Sequence, residues 1–164
     1  ILDFDLRLAL RQRQMGRMGD RWELHPAMRL MEMNDAGGLA GSVSLALVDA
    51  NNPACDPAEG GNWVYLFVGG ESMPDDLSET EIDGIPGPYA ADRVELHPGR
   101  GEFRYHFAFL PEGAYRVAFT CSGEWDEQGD DDYPVDPDGR FDFHAVSEPV
   151  EVVAGEITVL DIGI

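Results

Sequence analysis

Alternation of apolar and polar side chains, with a period of two residues, runs through most of this sequence. LDFDLRLAL (residues 2–10) places leucine or phenylalanine at every second position, and EFRYHFAFL places Phe103, Tyr105, Phe107 and Phe109 on one face. Successive side chains of a β-strand point to opposite sides, so this pattern is typical of half-buried strands. No window of ten or more residues keeps a helical period, and the sequence therefore predicts an all-β fold.

The remaining strand and turn signals predict an antiparallel β-sandwich. WVYLFV (residues 63–68) is apolar on both faces, as expected of a central strand. The tight connection LPEGAY leads into a strand that directs Cys121 toward the core, and two closing strands flank Ala154 and Gly155. About eight or nine short strands separated by turn signals favour two packed sheets.

The first 35 residues predict a β-hairpin added to this sandwich. Residues 2–10 would form its first strand and WELHPAMRLMEM (residues 22–33) its second, joined by the polar segment RQRQMGRMGDR. A length of 164 residues suits one compact unit. We therefore expect a hairpin extension over residues 1–35 and a sandwich domain over residues 36–164.

Glycines mark the expected boundary between hairpin and sandwich. Gly37, Gly38 and Gly41 interrupt the strand pattern, and glycine is weak in strand interiors. GSVSLALVDA (residues 41–50) then predicts the first sandwich strand, with its valine at position 43 and its leucines on one face.

The charge of the chain excludes several classes of partner. The sequence has 32 acidic and 11 basic residues and a formal net charge of −21, and every basic residue is arginine. A field of this sign repels nucleic acid and anionic membrane surfaces, so neither is an expected partner. No apolar run approaches the roughly 20 residues that span a bilayer, so any membrane anchor would be a lipid outside this sequence.

The two cysteines predict one disulfide. Cys55 and Cys121 are far apart and form no CxxC motif, and Cys55 lies in the polar segment NNPACDP, where a free thiol would be exposed. In an exported protein the bond would contribute about 4 kcal/mol in the chain-entropy model. The alternative is two unpaired thiols. The expected location is therefore that of an exported protein: periplasmic, outer-membrane-anchored or extracellular.

An acidic stretch near the C-terminus is the best candidate for a metal site. It holds nine acidic residues between Glu124 and Asp142. An EF-hand is excluded, because placing Gly139 at the sixth position puts Pro134 at the first and Ala145 at the twelfth. A looser calcium site would use Asp132, Asp136, Asp138 and Asp142. The alternative is a solvated loop whose charge is screened by salt.

Aromatic residues in the same stretch allow a binding role. Trp125 and Tyr133 are the candidates for a carbohydrate platform, whereas in the alternative interpretation Tyr133, Phe141 and Phe143 anchor the loop on the sandwich. No GxSxG motif occurs, and no two histidines are closer than nine residues, so the spacing gives no support to a zinc site. Carboxylate pairs are too frequent to indicate a glycosidase. No catalytic residue and no cofactor other than calcium is predicted.

Two parts of the sequence resemble known families. Asp3-Phe4-Asp5 and Leu24-His25-Pro26 resemble the C-terminal region of the domain of unknown function 4382 family, which includes bacterial envelope lipoproteins. LPEGAYRVAFTC and VEVVAGEITVLDI are similar to transthyretin-like or carboxypeptidase-regulatory-like sandwiches. The resemblance implies a transthyretin- or Ig-like fold in a protein of the cell envelope.

These features together favour a non-catalytic module. We expect a structural or binding role in a bacterial cell-envelope or secreted protein, with an envelope protein or a glycan as partner. A calcium-stabilised carbohydrate- or protein-binding domain is the second hypothesis, and a hydrolase using a carboxylate pair is the third.

Overall fold

The computed structural model describes residues 2–4, 9–14, 20–24, 28–48, 55, 61–69, 74–77, 87–126 and 141–163. Almost all regular structure in these residues is β, apart from a short 3-10 turn at Met33–Asp35. The strands are, in chain order, β1 (Leu2–Phe4), β2 (Leu10–Gln14), β3 (Asp20–Leu24), β4 (Met28–Leu30), β5 (Ala36–Val43), β6 (Trp63–Val68), β7 (Ala90–Arg93), β8 (Glu95–His97), β9 (Glu102–Pro111), β10 (Gly113–Thr120), β11 (Ala145–Val146), β12 (Val150–Val152) and β13 (Ile157–Val159).

Two sheets pack face to face and form the predicted all-β sandwich. The β6–β10 sheet has the order β11-β10-β6-β7, and β12 also pairs with β10. The β5–β9 sheet has the order β13-β5-β9-β8. Within the described residues the named strands of the sandwich pair antiparallel except β13, which lies parallel to β5, with Thr158 opposite Leu39.

The main core lies between the two sheets. Its fully buried residues come from alternate positions of the central strands: Leu39, Val64, Leu66, Tyr105, Phe107, Tyr115, Val117, Phe119 and Cys121. Phe103, Tyr105 and Phe107 lie on one face of β9 as predicted, and alternation on β10 directs Cys121 into this core as predicted.

The outer face of the β6–β10 sheet is covered as well. Tyr65 and Phe67 of β6 point away from the main core and pack against Phe141 and Phe143, with ring centroids 5.6 Å apart for Tyr65 and Phe143. Leu77 completes this second cluster. The central strand is therefore buried on both sides, which explains why its sequence has no polar position.

The fourth aromatic of β9 departs from the prediction. The register between β5 and β9 shifts near Phe109, which takes a left-handed φ of 55° and is 38% exposed. One extra residue in a strand turns the following side chain to the other face. Leu110, rather than Phe109, therefore fills the core.

The predicted strand over residues 41–50 is also displaced. β5 spans residues 36–43 and includes all three glycines, whereas the residues after Val43 form a turn in which Leu45 is 63% exposed. A Cβ at Gly41 would overlap the carbonyl oxygen of Leu160, and a Cβ at Gly37 would overlap that of Val153. These glycines allow the chain around β13 to approach β5 closely.

The N-terminal strands form two separate pairs. β2 pairs antiparallel with β3, and β1 pairs antiparallel with β4. Residues 15–19, between β2 and β3, lie outside the described residues, so one continuous hairpin and the division at residue 35 stay predictions. Arg29 of β4 contacts the sandwich, because its guanidinium lies 4.6 Å from the ring centroid of Tyr89 and donates to the Tyr89 carbonyl at 3.1 Å.

The predicted disulfide is present. Cys55 and Cys121 are bonded, with their Cα atoms 4.4 Å apart, and both side chains are buried. The bond closes a loop with a sequence separation of 66 residues.

The described part of the chain contains no helix with the length and apolar content needed to cross a bilayer.

Candidate ligand-binding groove

A groove of about 510 Å³ opens where the chain passes from one sheet to the other. β7 belongs to the β6–β10 sheet and β8 to the β5–β9 sheet, and only Val94 separates them. Val94 is buried, and its N–H donates to the carbonyl of Asn62 at 2.9 Å. This crossing brings charged residues of both sheets to one edge of the sandwich.

Asp92 lines the groove and accepts two backbone hydrogen bonds. The pairing of β8 with β9 ends at Arg104, so the N–H of His106 lies beyond the ladder and donates to Asp92 Oδ2 at 2.7 Å. The other carboxylate oxygen accepts the N–H of Arg93 at 2.9 Å. Burial raises the pKa of Asp92, although these two backbone hydrogen bonds act in the opposite direction.

The walls of the groove carry side chains of both charges. Besides Asp92, its ionisable lining consists of Arg93, Glu95, His97, Arg104, Tyr105 and His106. Among the lining residues the two arginines offset the two carboxylates, so the lining is formally neutral in a chain of net charge −21. His97 and His106 are both exposed and offer further donors or acceptors.

Arg104 is available to a ligand. Its Nε lies 3.9 Å from Glu102 Oε2, and both side chains are nearly half exposed, which makes this ion pair weak. Tyr105, the next residue, points inward and donates from its hydroxyl to the carbonyl of Leu160 at 2.6 Å. Burial raises the pKa of Tyr105 well above its usual range, so its hydroxyl stays protonated and acts as a hydrogen-bond donor.

The groove does not gather metal ligands. Among the described residues, one group of three histidine, cysteine or carboxylate ligand atoms lies within metal-binding range, and it consists of Cys55, Cys121 and His144. Both cysteines belong to the main core, where Cys121 directly follows β10, and His144 directly precedes β11. The groove therefore offers hydrogen-bond donors and acceptors to a ligand.

The structure describes one of the four predicted calcium ligands. Asp142 is exposed, and its backbone is fixed by hydrogen bonds: its N–H donates to Ser122 Oγ at 3.1 Å, and its carbonyl accepts from Thr120 Oγ1 at 2.7 Å. Asp132, Asp136 and Asp138 lie outside the described residues. The calcium site stays a prediction.

The two predicted ligand-binding aromatics do not line the groove as far as they are described. Trp125 lies in the turn after β10, 43% exposed, and Tyr133 lies outside the described residues. Phe141 and Phe143 are buried against β6, as the anchor interpretation expects of them.

The groove was missed because it depends on the crossing at Val94. ADRVELHPGR shows a charged run around one valine, and the pattern predicts a short strand without showing that the chain changes sheet there. Arg104 and His106 lie on the exposed face of β9, opposite the face that carries Phe103, Tyr105 and Phe107. Nothing in the sequence distinguishes Asp92 and Glu95 from the other acidic residues, of which the chain has 32 in total.

Comparison with protein-family models, with curated proteins and with solved structures finds no match. The resemblance to the domain of unknown function 4382 family and to transthyretin-like sandwiches therefore stays a prediction.

Proposed function

We propose that this protein is a non-catalytic binding module of a bacterial cell-envelope or secreted protein, and that its groove binds a neutral saccharide. The observation that carries this proposal is the open groove, whose lining includes Arg93, Arg104, Asp92, Glu95 and two histidines. A concave site with a few convergent polar groups is the usual form of a small-ligand site.

The balance of donors and acceptors favours a hydroxyl-rich ligand. Arginine provides donors alone, carboxylates provide acceptors alone, and each sugar hydroxyl can serve as both. The net charge of −21 disfavours an approaching polyanion, whereas a neutral saccharide meets no such barrier. The neutral edge of the sandwich fits a neutral ligand.

The environment of Asp92 argues against catalysis in the groove. A general acid or a nucleophile needs a carboxylate that can reach the substrate. Both oxygens of Asp92 accept backbone hydrogen bonds, which assigns this residue a positioning role. Glu95 is exposed on β8, and its partner across the strand pair is Arg104 rather than a carboxylate.

The disulfide supports the proposed location. Such bonds form and persist in oxidising compartments, among them the periplasm and the extracellular space. The Cys55–Cys121 bond therefore favours an exported protein, and the family resemblance favours the bacterial envelope, with a lipid anchor outside this sequence.

The test compares groove variants with a matched control. Binding of a panel of neutral and uronic-acid oligosaccharides is measured by isothermal titration calorimetry for the wild type, Arg104→Gln, His106→Gln and His144→Gln. Loss of a charge-assisted hydrogen bond should weaken binding of the preferred neutral sugar about tenfold or more in Arg104→Gln. His106→Gln should also weaken it.

His144→Gln is the control, because this exposed histidine precedes β11, two strands (β10 and β6) lie between β11 and β7, and the change should leave binding unchanged. The proposal fails if no oligosaccharide binds, or if both groove variants, Arg104→Gln and His106→Gln, bind as the wild type does. A clear preference for uronic-acid sugars would contradict the neutral-ligand assignment.

A further inference from the structure

A histidine contacts the disulfide. His144 Nε2 lies 3.3 Å from Cys121 Sγ, and the ligand atoms of Cys55, Cys121 and His144 all lie within 4.8 Å of one another. None of these three residues lines the groove proposed to bind a saccharide. They form a separate cluster at the β10–β11 edge of the sandwich.

The backbone fixes His144 in this position. Its N–H donates to the carbonyl of Phe119 at 2.8 Å, and its ring packs against the ring of Phe119 with centroids 6.4 Å apart. Phe119 and Cys121 both belong to the buried face of the β10 segment. The contact between histidine and sulfur is therefore set by strand pairing and ring packing.

We propose that reduction of the Cys55–Cys121 disulfide by a dithiol turns this cluster into a zinc site. Cys55 and Cys121 supply two thiolates and His144 supplies one imidazole nitrogen. The fourth position of the tetrahedron is open to water.

The ligand types and one measured distance support this assignment. Tetrahedral zinc binds thiolate at about 2.3 Å and imidazole at about 2.0 Å, which places sulfur and nitrogen ligands about 3.5 Å apart. The Cys121–His144 distance of 3.3 Å is already close to this value. Once the disulfide is broken, the sulfur atoms of Cys55 and Cys121 need to separate to about 3.8 Å.

The burial pattern gives the site one open side. Both cysteines are buried, whereas His144 is exposed, so an ion enters from the histidine side. Buried thiolates lose hydration, and a bound cation compensates for this loss. The arrangement of three protein ligands with one open position is the form that non-structural zinc sites take.

Reduction of the disulfide by the dithiol takes two steps. One thiolate of the dithiol attacks a cysteine sulfur, the S–S bond breaks, and a mixed disulfide forms. The second thiol of the reductant displaces the cysteine and closes a cyclic disulfide, so two electrons and two protons reach the protein. Zinc then replaces the two thiol protons, which pass to solvent.

Cobalt and zinc alone serve as probes of the full chain. The protein is reduced with a phosphine, which becomes a phosphine oxide by taking oxygen from water, and excess reductant is removed without oxygen. Co²⁺ should bind the reduced protein in a one-to-one ratio and give sulfur-to-cobalt charge-transfer and tetrahedral d–d absorption. Zn²⁺ should displace the cobalt, and the oxidised protein should show none of these bands.

Variants separate this site from adventitious binding. His144→Gln should weaken zinc binding about tenfold or more, and Cys55→Ser should remove the charge-transfer band, since each deletes a ligand. His97 is an exposed histidine in the groove, and the His97→Gln variant should bind zinc as the wild type does.

Three results would overturn the proposal. One is absence of the cobalt bands in the reduced protein, and another is equal zinc affinity in His144→Gln and the wild type. The third concerns folding and is read from near-ultraviolet circular dichroism. A reduced chain that loses its tertiary signal, and does not regain it with zinc, holds no preformed site. None of these results bears on saccharide binding, which is measured on the oxidised protein.

Discussion

Phe109 and Gly41 each determine a local path of the β5–β9 sheet. Phe109 takes a left-handed backbone that is uncommon for a bulky residue, and its ring leaves the core as a result. Gly41 lacks the Cβ that would overlap the Leu160 carbonyl, so β5 and the segment after β13 can lie in contact. Asp161 stabilises the same contact, because its side chain accepts two hydrogen bonds from Ser42.

Replacing Gly41 by alanine should destabilise the protein. The added methyl group meets backbone at Leu160, which cannot move aside as a flexible side chain can. Overpacking of this kind costs about 1 to 3 kcal/mol, so the urea midpoint of unfolding should fall. Gly163→Ala is the matched control, because a Cβ there meets nothing within 4 Å. Equal midpoints for the two variants would contradict the close approach.

Removing the charge of Asp161 should have an effect that depends on pH. Asp161 Oδ1 accepts the hydroxyl and the backbone N–H of Ser42, both at 2.8 Å, and these bonds lower the pKa of the carboxyl below 3.8. A lowered pKa stabilises the folded state above the unfolded value, and this contribution is lost as pH falls through the folded pKa.

Asp161→Asn should therefore be less stable than the wild type at neutral pH, and the gap should close below pH 3.8. Urea unfolding monitored by tryptophan fluorescence, between about pH 6 and about pH 2, measures this difference. A gap that stays constant over this range would show that the Ser42 hydrogen bonds do not favour the ionised carboxyl.

At the scale of elements, the segment 141–143 acts as a third layer over the β6–β10 sheet. Its backbone is tied to the end of β10 through Thr120 and Ser122, and its two phenylalanines cover Tyr65 and Phe67. Ser122 is buried in this network, so its hydroxyl has a structural role. The layer allows an entirely apolar strand to lie in the centre of the sheet.

Truncating Phe143 should therefore cost as much as a mutation in the main core. Phe143→Ala removes a ring that packs edge-on against both Tyr65 and Phe67, and such truncations cost about 3 to 5 kcal/mol. Val146→Ala, a nearby and 44% exposed position on β11, is the control and should change stability little. A loss below about 1 kcal/mol for Phe143→Ala would mean that the layer is not packed.

The elements differ in how far the sequence could predict them. Period-two alternation was enough for most of β9 and β10, because burial on one face imposes that period directly. The position of β5 was predicted wrongly because glycine ordinarily interrupts a strand. Here Gly41 lies within the strand, because the Leu160 backbone packs against it and leaves no room for a Cβ. The groove and the His144–Cys121 contact were out of reach, since both arise from residues that only sheet pairing brings together.

At the scale of the whole molecule, charge is distributed unevenly along the chain. Residues 1–35 contain six arginines and six acidic residues, so the net charge of −21 resides in residues 36–164. Within that acidic part the groove edge is formally neutral, with Arg93 and Arg104 offsetting Asp92 and Glu95. A ligand without net charge is little affected by ionic screening, so its binding should depend little on salt.

The parallel pairing of β13 with β5 has a consequence for how the chain folds. β5 lies between β9 and β13, and the register joins Gly38 to Ile157 across most of the sequence. A long loop has to close before this pairing contributes any stability, which slows folding in proteins rich in non-local contacts. Until the last strand docks, one edge of β5 keeps unpaired N–H and C=O groups. A refolding chain is therefore exposed to strand-to-strand aggregation at β5, and pairing of β13 ends that exposure.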